Sequence, residues 1–236
     1  MASPNRSPSP FPRPEEPAAR REPARREPTR RERATRREPP LDPNSWSGAL
    51  IMMATFVGVV WAVQFVNAAD DYRLDRFGLR PREFDGLWGV VTMPFLHASY
   101  DHLLSNTIPL LAIGWIVLLS GIRLWLTVTG LVVLGGGLLT WLVAPHSLIV
   151  GASGLVFGWL GYLLARAYFS RKLKWIVVAV LVLAFFGSLL FGLFPTLHSH
   201  VSWQAHLCGF LAGVGAGGLL HPRGGDTRTF RRPAVS

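Results

Sequence analysis

Hydrophobic and polar residues are sharply separated along this chain of 236 residues. Residues 1–45 contain almost no large apolar side chains, whereas most of residues 46–221 are apolar. Several of the apolar runs approach the roughly 20 residues that a helix needs to cross a bilayer. A soluble domain of this size interrupts its apolar runs every few residues. The pattern therefore predicts an all-α polytopic membrane protein.

Six spanning helices are expected within a membrane domain at residues 46–221. Their predicted positions are 48–69, 103–120, 124–144, 153–169, 175–194 and 204–221. Residues 1–45 are rich in Pro, Arg and Glu and have too little apolar surface to fold, which predicts a disordered tail. This tail either makes weak contacts with anionic lipid headgroups or is a solvated segment that helps to set the orientation. Residues 222–236 form a second, short basic tail.

The charge distribution gives the six helices a direction. Loops that carry excess Lys and Arg face the cytoplasm. The loops after the second and fourth helices and both tails are basic, whereas 145–152 and 195–203 contain no Lys or Arg. We therefore predict a multi-pass protein with both termini in the cytoplasm. This topology accounts for the basic residues behind the net charge of +10. The lipid bilayer is therefore the expected partner of these residues, and no nucleic acid partner is expected.

Polar residues inside the spanning segments are the best candidates for function, because a polar group at membrane depth is costly. His102 and Asn106 open the second helix, Ser153 opens the fourth, and His206 opens the sixth. These three helices run in the same direction in the predicted topology. The four side chains should therefore lie at a similar shallow depth below the outer surface.

Glycines indicate which of these helices are in contact. Gly154 and Gly158 lie four residues apart after the serine, and Gly209 and Gly213 repeat that spacing after the histidine. Small residues at this spacing allow two membrane helices to approach closely. We call each pair of glycines a glycine stripe. Either stripe alone is better explained by generic helix packing, but the two together predict that the helices of Ser153 and His206 pack against each other. Gly151 leaves the backbone free to turn before the fourth helix.

A serine next to a histidine suggests nucleophilic catalysis. A neutral imidazole at His206 would accept the proton of the Ser153 hydroxyl and later pass it to the leaving amine. His102, Asn106 and the backbone N–H of Ser153 would stabilise the oxyanion. The sequence places no Asp or Glu in the inner halves of these helices, so a carboxylate partner is not predicted.

Cysteine and the remaining histidines suggest no cofactor. The single Cys208 excludes a disulfide framework and any multi-cysteine metal site. His198 and His200 have no nearby carboxylate or thiol, so they are better explained as loop residues than as metal ligands. We expect His97 to make a structural loop contact, and His146 is left unassigned. The glycines at 135–137 indicate close packing or a kink.

Four sequence elements in order resemble the rhomboid family of intramembrane serine proteases. They are Thr92–His97 (TMPFLH), His102–Asn106 (HLLSN), Gly151–Gly154 (GASG) and Ala205–Gly209 (AHLCG) with Gly213. The resemblance covers about 49–221 and implies a six-helix bundle with a water-filled cavity open to the outer side. It also implies a Ser153–His206 dyad with His102 and Asn106 in the oxyanion hole. Phe157 stands where many relatives stack an aromatic ring on the histidine; a plain lipid or core contact is the alternative.

Two positions depart from the family pattern. Trp88 is followed by Gly89 where relatives often have arginine, and Leu118 stands where many have glutamate within the second helix. Both family features look structural, since they help to fix the first loop and the second helix.

Three hypotheses follow for the function. The first is a serine endopeptidase that cleaves transmembrane segments of membrane proteins near the outer face, in what the resemblance suggests is a bacterial plasma membrane. The second is a catalytically inactive relative that binds membrane helices, and it predicts loss of Ser153 or His206, although both are present. The third is a small transporter, which predicts charged residues or broken helices at mid-membrane. The sequence favours the first.

Overall fold

A computed structural model describes residues 42, 45–195 and 202–221 of the chain. Within these ranges the fold is built from helices, and one isolated bridge joins Leu79 to Ile149. The six long helices are α1 (Trp46–Ala69), α2 (Tyr100–Leu118), α3 (Ile122–Val143), α4 (Ser153–Ser170), α5 (Leu173–Leu193) and α6 (Trp203–Leu219). The predicted all-α fold is confirmed. Nearly all of the N-terminal tail, the whole of the tail at 222–236, and His198 and His200 lie outside the described residues.

Four of the long helices are long and apolar enough to cross a membrane, namely α1, α2, α3 and α5. The other two are shorter, since α4 has 18 residues and α6 has 17. The lower apolar content of α4 has a structural reason. Twelve residues of α4 are buried among the other helices, and five of these twelve are glycine or alanine. A helix that faces protein rather than lipid needs less apolar surface.

The central contact of the fold is between α4 and α6, and it depends on glycine. A Cβ atom added to Gly209 would collide with the carbonyl oxygen of Gly154. In the same way, a Cβ added to Gly213 would collide with the carbonyl oxygen of Gly158. The two backbones are therefore in direct contact along the glycine positions. The predicted packing of the two glycine stripes is confirmed.

Helix α3 supports this pair from the side. It begins as an α-helix, is π-helical over Val132–Gly136, and continues as an α-helix over Gly137–Val143. A Cβ added to Gly136 would lie 3.0 Å from Cα of Gly209, so the wider turn presents a glycine to the α6 backbone. The run of glycines thus accompanies both close packing and a local change of helix geometry.

The connection between α1 and α2 is ordered, although the sequence predicted only a long loop. It contains the short helices Arg73–Phe77, Phe84–Gly86, Gly89–Thr92 and Met93–Phe95. The Arg82 guanidinium donates hydrogen bonds to the carbonyl oxygens of Ala144 (2.6 Å) and Leu142 (3.2 Å) at the end of α3. The Trp141 indole donates to the Glu83 carbonyl oxygen at 2.9 Å. These bonds anchor the loop to α3.

The two departures from the family pattern fit this packing. A Cβ added to Gly89 would collide with the backbone of Leu79, so only glycine fits at this position. Leu118 is completely buried in the main hydrophobic core, where it packs as an apolar residue. The loop is therefore fixed through Arg82, and the end of α2 through apolar contacts.

Candidate active site

The turn before α4 sets the position of Ser153. Gly151 has φ of +127°, a conformation that side-chain-bearing residues rarely adopt, so the predicted need for glycine at this turn is confirmed. The Gly151 N–H donates to the Met93 carbonyl oxygen at 2.9 Å. The next N–H, of Ala152, donates to Nε2 of His97 at 3.3 Å. Ser153 then begins the helix, so its hydroxyl lies at the end of α4 where backbone N–H groups have no helical acceptor.

His206 approaches from the first turn of α6. The Ser202 hydroxyl caps this helix by accepting a hydrogen bond from the Ala205 N–H at 3.3 Å. The His206 side chain is buried, and its Nε2 lies 2.8 Å from Oγ of Ser153. The glycine contacts between α4 and α6 begin within one turn of both residues. Sequence reasoning predicted this proximity, and the structure places the two atoms at hydrogen-bond distance.

The other ring nitrogen of His206 lies 2.9 Å from the carbonyl oxygen of Gly192. A carbonyl oxygen only accepts hydrogen bonds, so Nδ1 must be the protonated nitrogen of the neutral ring. Nε2 is then unprotonated and accepts from the Ser153 hydroxyl. The Gly192 carbonyl therefore sets the tautomer, a task that a carboxylate performs in many serine hydrolases.

Sequence analysis did not predict the role of Gly192, because any residue supplies a backbone carbonyl. The absence of a side chain does matter at this position. A Cβ atom at Gly192 would lie 3.0 Å from the Phe157 ring and 3.1 Å from Nδ1 of His206. A glycine near the C-terminal end of α5 was the only available sequence signal.

Phe157 packs flat on the His206 ring. The ring centroids are 4.2 Å apart and the planes differ by 13°. Of the two alternatives left open by the sequence, the structure shows the stacked one. Together with the Gly192 carbonyl, this contact restricts rotation of the imidazole about its side-chain bonds.

His102 and Asn106 belong to α2 and line a cavity together with Ser153. A Cβ added to Gly151 would be 2.9 Å from Nε2 of His102 and 3.7 Å from Oγ of Ser153, so both side chains lie close to this glycine. His102 Nε2 is buried and has no hydrogen-bond partner in the described part of the chain. One N–H of the Asn106 amide is used by the His102 carbonyl oxygen, at 2.8 Å. The second N–H remains as a donor.

His97 lies behind this turn and is completely buried. Its ring meets the His102 ring edge-on, with centroids 5.1 Å apart. Burial, reinforced by the nearby His102, lowers the pKa of His97 to about 4, so the ring is neutral at physiological pH. A neutral ring can accept the Ala152 N–H through Nε2. The expected structural loop contact of His97 is therefore present, whereas His146 is exposed and stays unassigned.

Two cavities meet at Ser153 and His102. One has a volume of about 380 Å³ and is bounded by the segments that precede and begin α4 and α6, including residues 147–151 and 202–205. The other has a volume of about 290 Å³ and lies between α2 and α5; its lining includes Asn106, Pro109, Ser188 and Leu189. No group of three His, Cys, Asp or Glu side chains in the described residues is arranged to hold a metal ion. The arrangement suits nucleophilic chemistry at the serine.

Comparison with known proteins agrees with the sequence resemblance. The family model of the Rhomboid domain matches residues 85–223. An uncharacterized protein of Mycobacterium tuberculosis is 40% identical over 187 residues, which cover 75% of this chain and 78% of the relative. An uncharacterized protein of Mycobacterium leprae is 36% identical over 194 residues, covering 79% of this chain and 77% of the relative. The match spans more than half of the chain and includes all four polar positions of the site. The chain belongs to the rhomboid family.

Proposed function

We propose that this protein is an intramembrane serine endopeptidase that cleaves transmembrane segments of other membrane proteins. The observation that carries the proposal is the 2.8 Å contact between Oγ of Ser153 and Nε2 of His206. Both groups line a cavity, so a peptide could reach the serine. Membership of the rhomboid family supports the same reaction class.

The first step is attack of Ser153 Oγ on a peptide carbonyl carbon. As the new C–O bond forms, His206 Nε2 takes the hydroxyl proton and the ring becomes an imidazolium. The Gly192 carbonyl, which accepts from Nδ1–H, favours that charged form. The intermediate then collapses, the C–N bond breaks, and the imidazolium gives its proton to the leaving amine. Water, activated by the same histidine, hydrolyses the acyl-enzyme and restores the serine.

The negative charge that develops on the carbonyl oxygen requires donors. His102 Nε2, the second N–H of Asn106 and the backbone N–H of Ser153 are the three candidates. The N-terminus of α4 adds a partial positive charge at the same place, because the backbone dipoles of the helix are aligned. Removing one such donor typically slows an enzyme by about 10²–10³.

The substrate class follows from the position of the site. The cavity that Ser153 lines lies between α2 and α5, so a transmembrane segment that entered between these two helices would reach the serine. Only 11% of the most apolar 18-residue stretch of α5 is buried, so few contacts hold this helix in place beside the cavity. A helical substrate hides its carbonyl groups, so the cleaved stretch must unwind. Substrates with helix-weakening Gly or Pro and small residues near the cut are therefore expected.

The cellular location is part of the proposal. The basic loops after α2 and α4 face the cytoplasm under the positive-inside rule, which puts Ser153 near the outer face and both termini inside. The related proteins are bacterial, which favours the plasma membrane. Membrane proteins with a transmembrane helix are the proposed substrates, and the reaction needs no cofactor.

The test is cleavage of a helical transmembrane reporter by the purified full chain in liposomes. The wild type should cleave it and should react with a fluorophosphonate, which labels activated serines. Ser153→Ala should abolish both signals. Ser188→Ala is the matched control, because this serine lines the same cavity. The hydrogen-bond partners of His206 are Gly192 and Ser153 rather than Ser188, so the control should keep both signals.

Equal cleavage by wild type and Ser153→Ala would refute the mechanism. Binding of reporter helices by both proteins, with neither cleavage nor labelling, would instead support the inactive, helix-binding alternative.

A further inference from the structure

A third cavity lies at the opposite end of α4 from Ser153. Arg166 is thirteen residues further along the same helix, which places it about 20 Å away at 1.5 Å per residue. The cavity has a volume of about 410 Å³. Arg166 and Lys172 supply positive charge to its lining, Tyr162, Ser170 and Trp175 supply polar and aromatic groups, and Leu124, Gly217, Leu220 and His221 complete it. It takes no part in the proposed proteolysis.

Arg166 is held in this cavity by neutral groups. Its Nη1 donates to the Ser120 hydroxyl at 2.8 Å and to the Tyr162 hydroxyl at 2.9 Å. Its guanidinium carbon lies 3.6 Å from the centre of the Trp175 ring. These contacts fix the direction of the side chain but do not neutralise its charge. A guanidinium held in one orientation is well suited to bind a phosphate.

The sequence around the cavity contains no counter-charge. No Asp or Glu occurs between Asp101 and Asp226, a stretch that includes six Lys and Arg residues. None of the residues that line the cavity is acidic. The three ion pairs seen among the described residues all lie in the loop between α1 and α2. An anion at Arg166 would therefore have to come from outside this stretch.

Helix ends do not remove the positive charge either. The C-terminus of α4 and the N-terminus of α5 meet at the turn Arg171–Lys172, and their partial charges have opposite signs. Helix α5 begins at Leu173 without a side-chain cap, so its first backbone N–H groups face this turn. Such N–H groups favour anions. The net field at the cavity is set by Arg166 and Lys172.

We propose that this cavity binds the phosphate of an anionic phospholipid headgroup, with Arg166 and Lys172 as the charged contacts. Basic pockets between spanning helices on the cytoplasmic side are suited to such headgroups. Trp175 and Tyr162 are side chains that prefer the membrane interface, and Leu124 and Leu220 give the glycerol and acyl portions an apolar wall. In the proposed topology the lipid belongs to the inner leaflet, on the far side of the bundle from Ser153.

The experiment measures lipid binding by native mass spectrometry of the purified full chain. Phosphatidylglycerol is titrated, with phosphatidylcholine as the zwitterionic comparison and inorganic phosphate as a competitor. Phosphatidylglycerol should bind in preference to phosphatidylcholine. Arg166→Gln and Lys172→Gln should each weaken its binding about tenfold, the effect expected for loss of one charge-assisted contact. Lys172 is exposed, so its variant tests the site even where Arg166→Gln impairs folding.

Arg123→Gln is the matched control. It removes the same charge at the same end of the bundle, but Arg123 is exposed and does not line the cavity. Its binding should stay within about twofold of wild type, as expected for an exposed, screened charge. Equal weakening by Arg123→Gln and Lys172→Gln would overturn the site in favour of general surface attraction. Equal binding of the two lipids, or displacement of phosphatidylglycerol by equimolar phosphate, would overturn the lipid assignment.

Discussion

Replacing Gly209 by alanine is expected to reduce the proposed proteolysis by separating α4 from α6. The added Cβ would overlap the carbonyl oxygen of Gly154, and backbone atoms in two packed helices cannot rotate away. The helices must therefore move apart near the first turn of each, where the two reactive side chains are. Gly209 lies three residues after His206, so the displacement acts directly on the imidazole.

The expected magnitude follows from the site geometry. A displacement of about 1 Å lengthens the 2.8 Å contact between Ser153 Oγ and His206 Nε2 beyond the roughly 3.2 Å limit of a productive hydrogen bond. Misplacement of a catalytic group by about 1 Å typically costs about 10² in rate. Overpacking costs about 1–3 kcal/mol of stability. The higher helix propensity of alanine offsets up to about 1 kcal/mol of that cost.

The assay compares kcat for reporter cleavage with the thermal stability of the same protein preparation. Gly215→Ala is the matched control, because it makes the same change in the same helix but an added Cβ there meets nothing within 4 Å. The control should keep wild-type cleavage and be at least as stable. Gly209→Ala should lose about 10² in kcat while a folded population remains.

Wild-type cleavage by Gly209→Ala would show that the close approach of the two backbones does not position the dyad. Equal loss of activity in Gly209→Ala and Gly215→Ala would also refute the reasoning, since packing could not then be the cause.

Two further changes test the remaining parts of the site. Asn106→Ala should lower kcat by about 10²–10³ with little change in KM, because the amide is a proposed donor to the oxyanion of the transition state. Ser105→Ala removes another donor to the His102 carbonyl oxygen; it is the control and should keep most activity. His97 should make stability depend on pH. Burial lowers the pKa of His97 in the folded state to about 4, below the unfolded value of 6.5. The contribution of the neutral ring to the free energy of unfolding is therefore fully present above pH 6.5 and is lost as the pH falls towards 4, by about 3 kcal/mol in total. Thermal unfolding measured between pH 7.5 and 4 checks this, and His97→Gln should flatten the dependence; an unchanged slope in this variant would contradict the assignment.

The elements of the site that were predictable from sequence are those that depend on side-chain type. A serine and a histidine in apolar segments, and glycines four residues apart beside each, are rare enough to indicate both the residues and the helices that meet. Helix ends were predicted within a few residues; α2, for example, begins at Tyr100 rather than at the expected 103. The Ser99 cap, which accepts from the His102 N–H, explains that earlier start.

Other features were not predictable because they depend on backbone atoms or on distant contacts. The sequence does not indicate which backbone carbonyl orients His206, because every residue has one. The bonds from Arg82 to the end of α3 join residues about sixty positions apart, and charge patterning alone does not distinguish Arg82 from the other arginines of the loop. The short helices of that loop are likewise fixed by tertiary contacts, which a local apolar pattern does not encode.

The use of a backbone carbonyl in place of a carboxylate is consistent with the surroundings of the site. A carboxylate buried beside His206 would be a full charge at membrane depth, which is costly without a compensating partner. The Gly192 carbonyl selects the same tautomer without a formal charge, at the expense of weaker stabilisation of the imidazolium. The Phe157 ring and the glycine contacts between α4 and α6 then hold the imidazole in position. Orientation by packing therefore takes over part of what a third charged residue provides in a soluble enzyme.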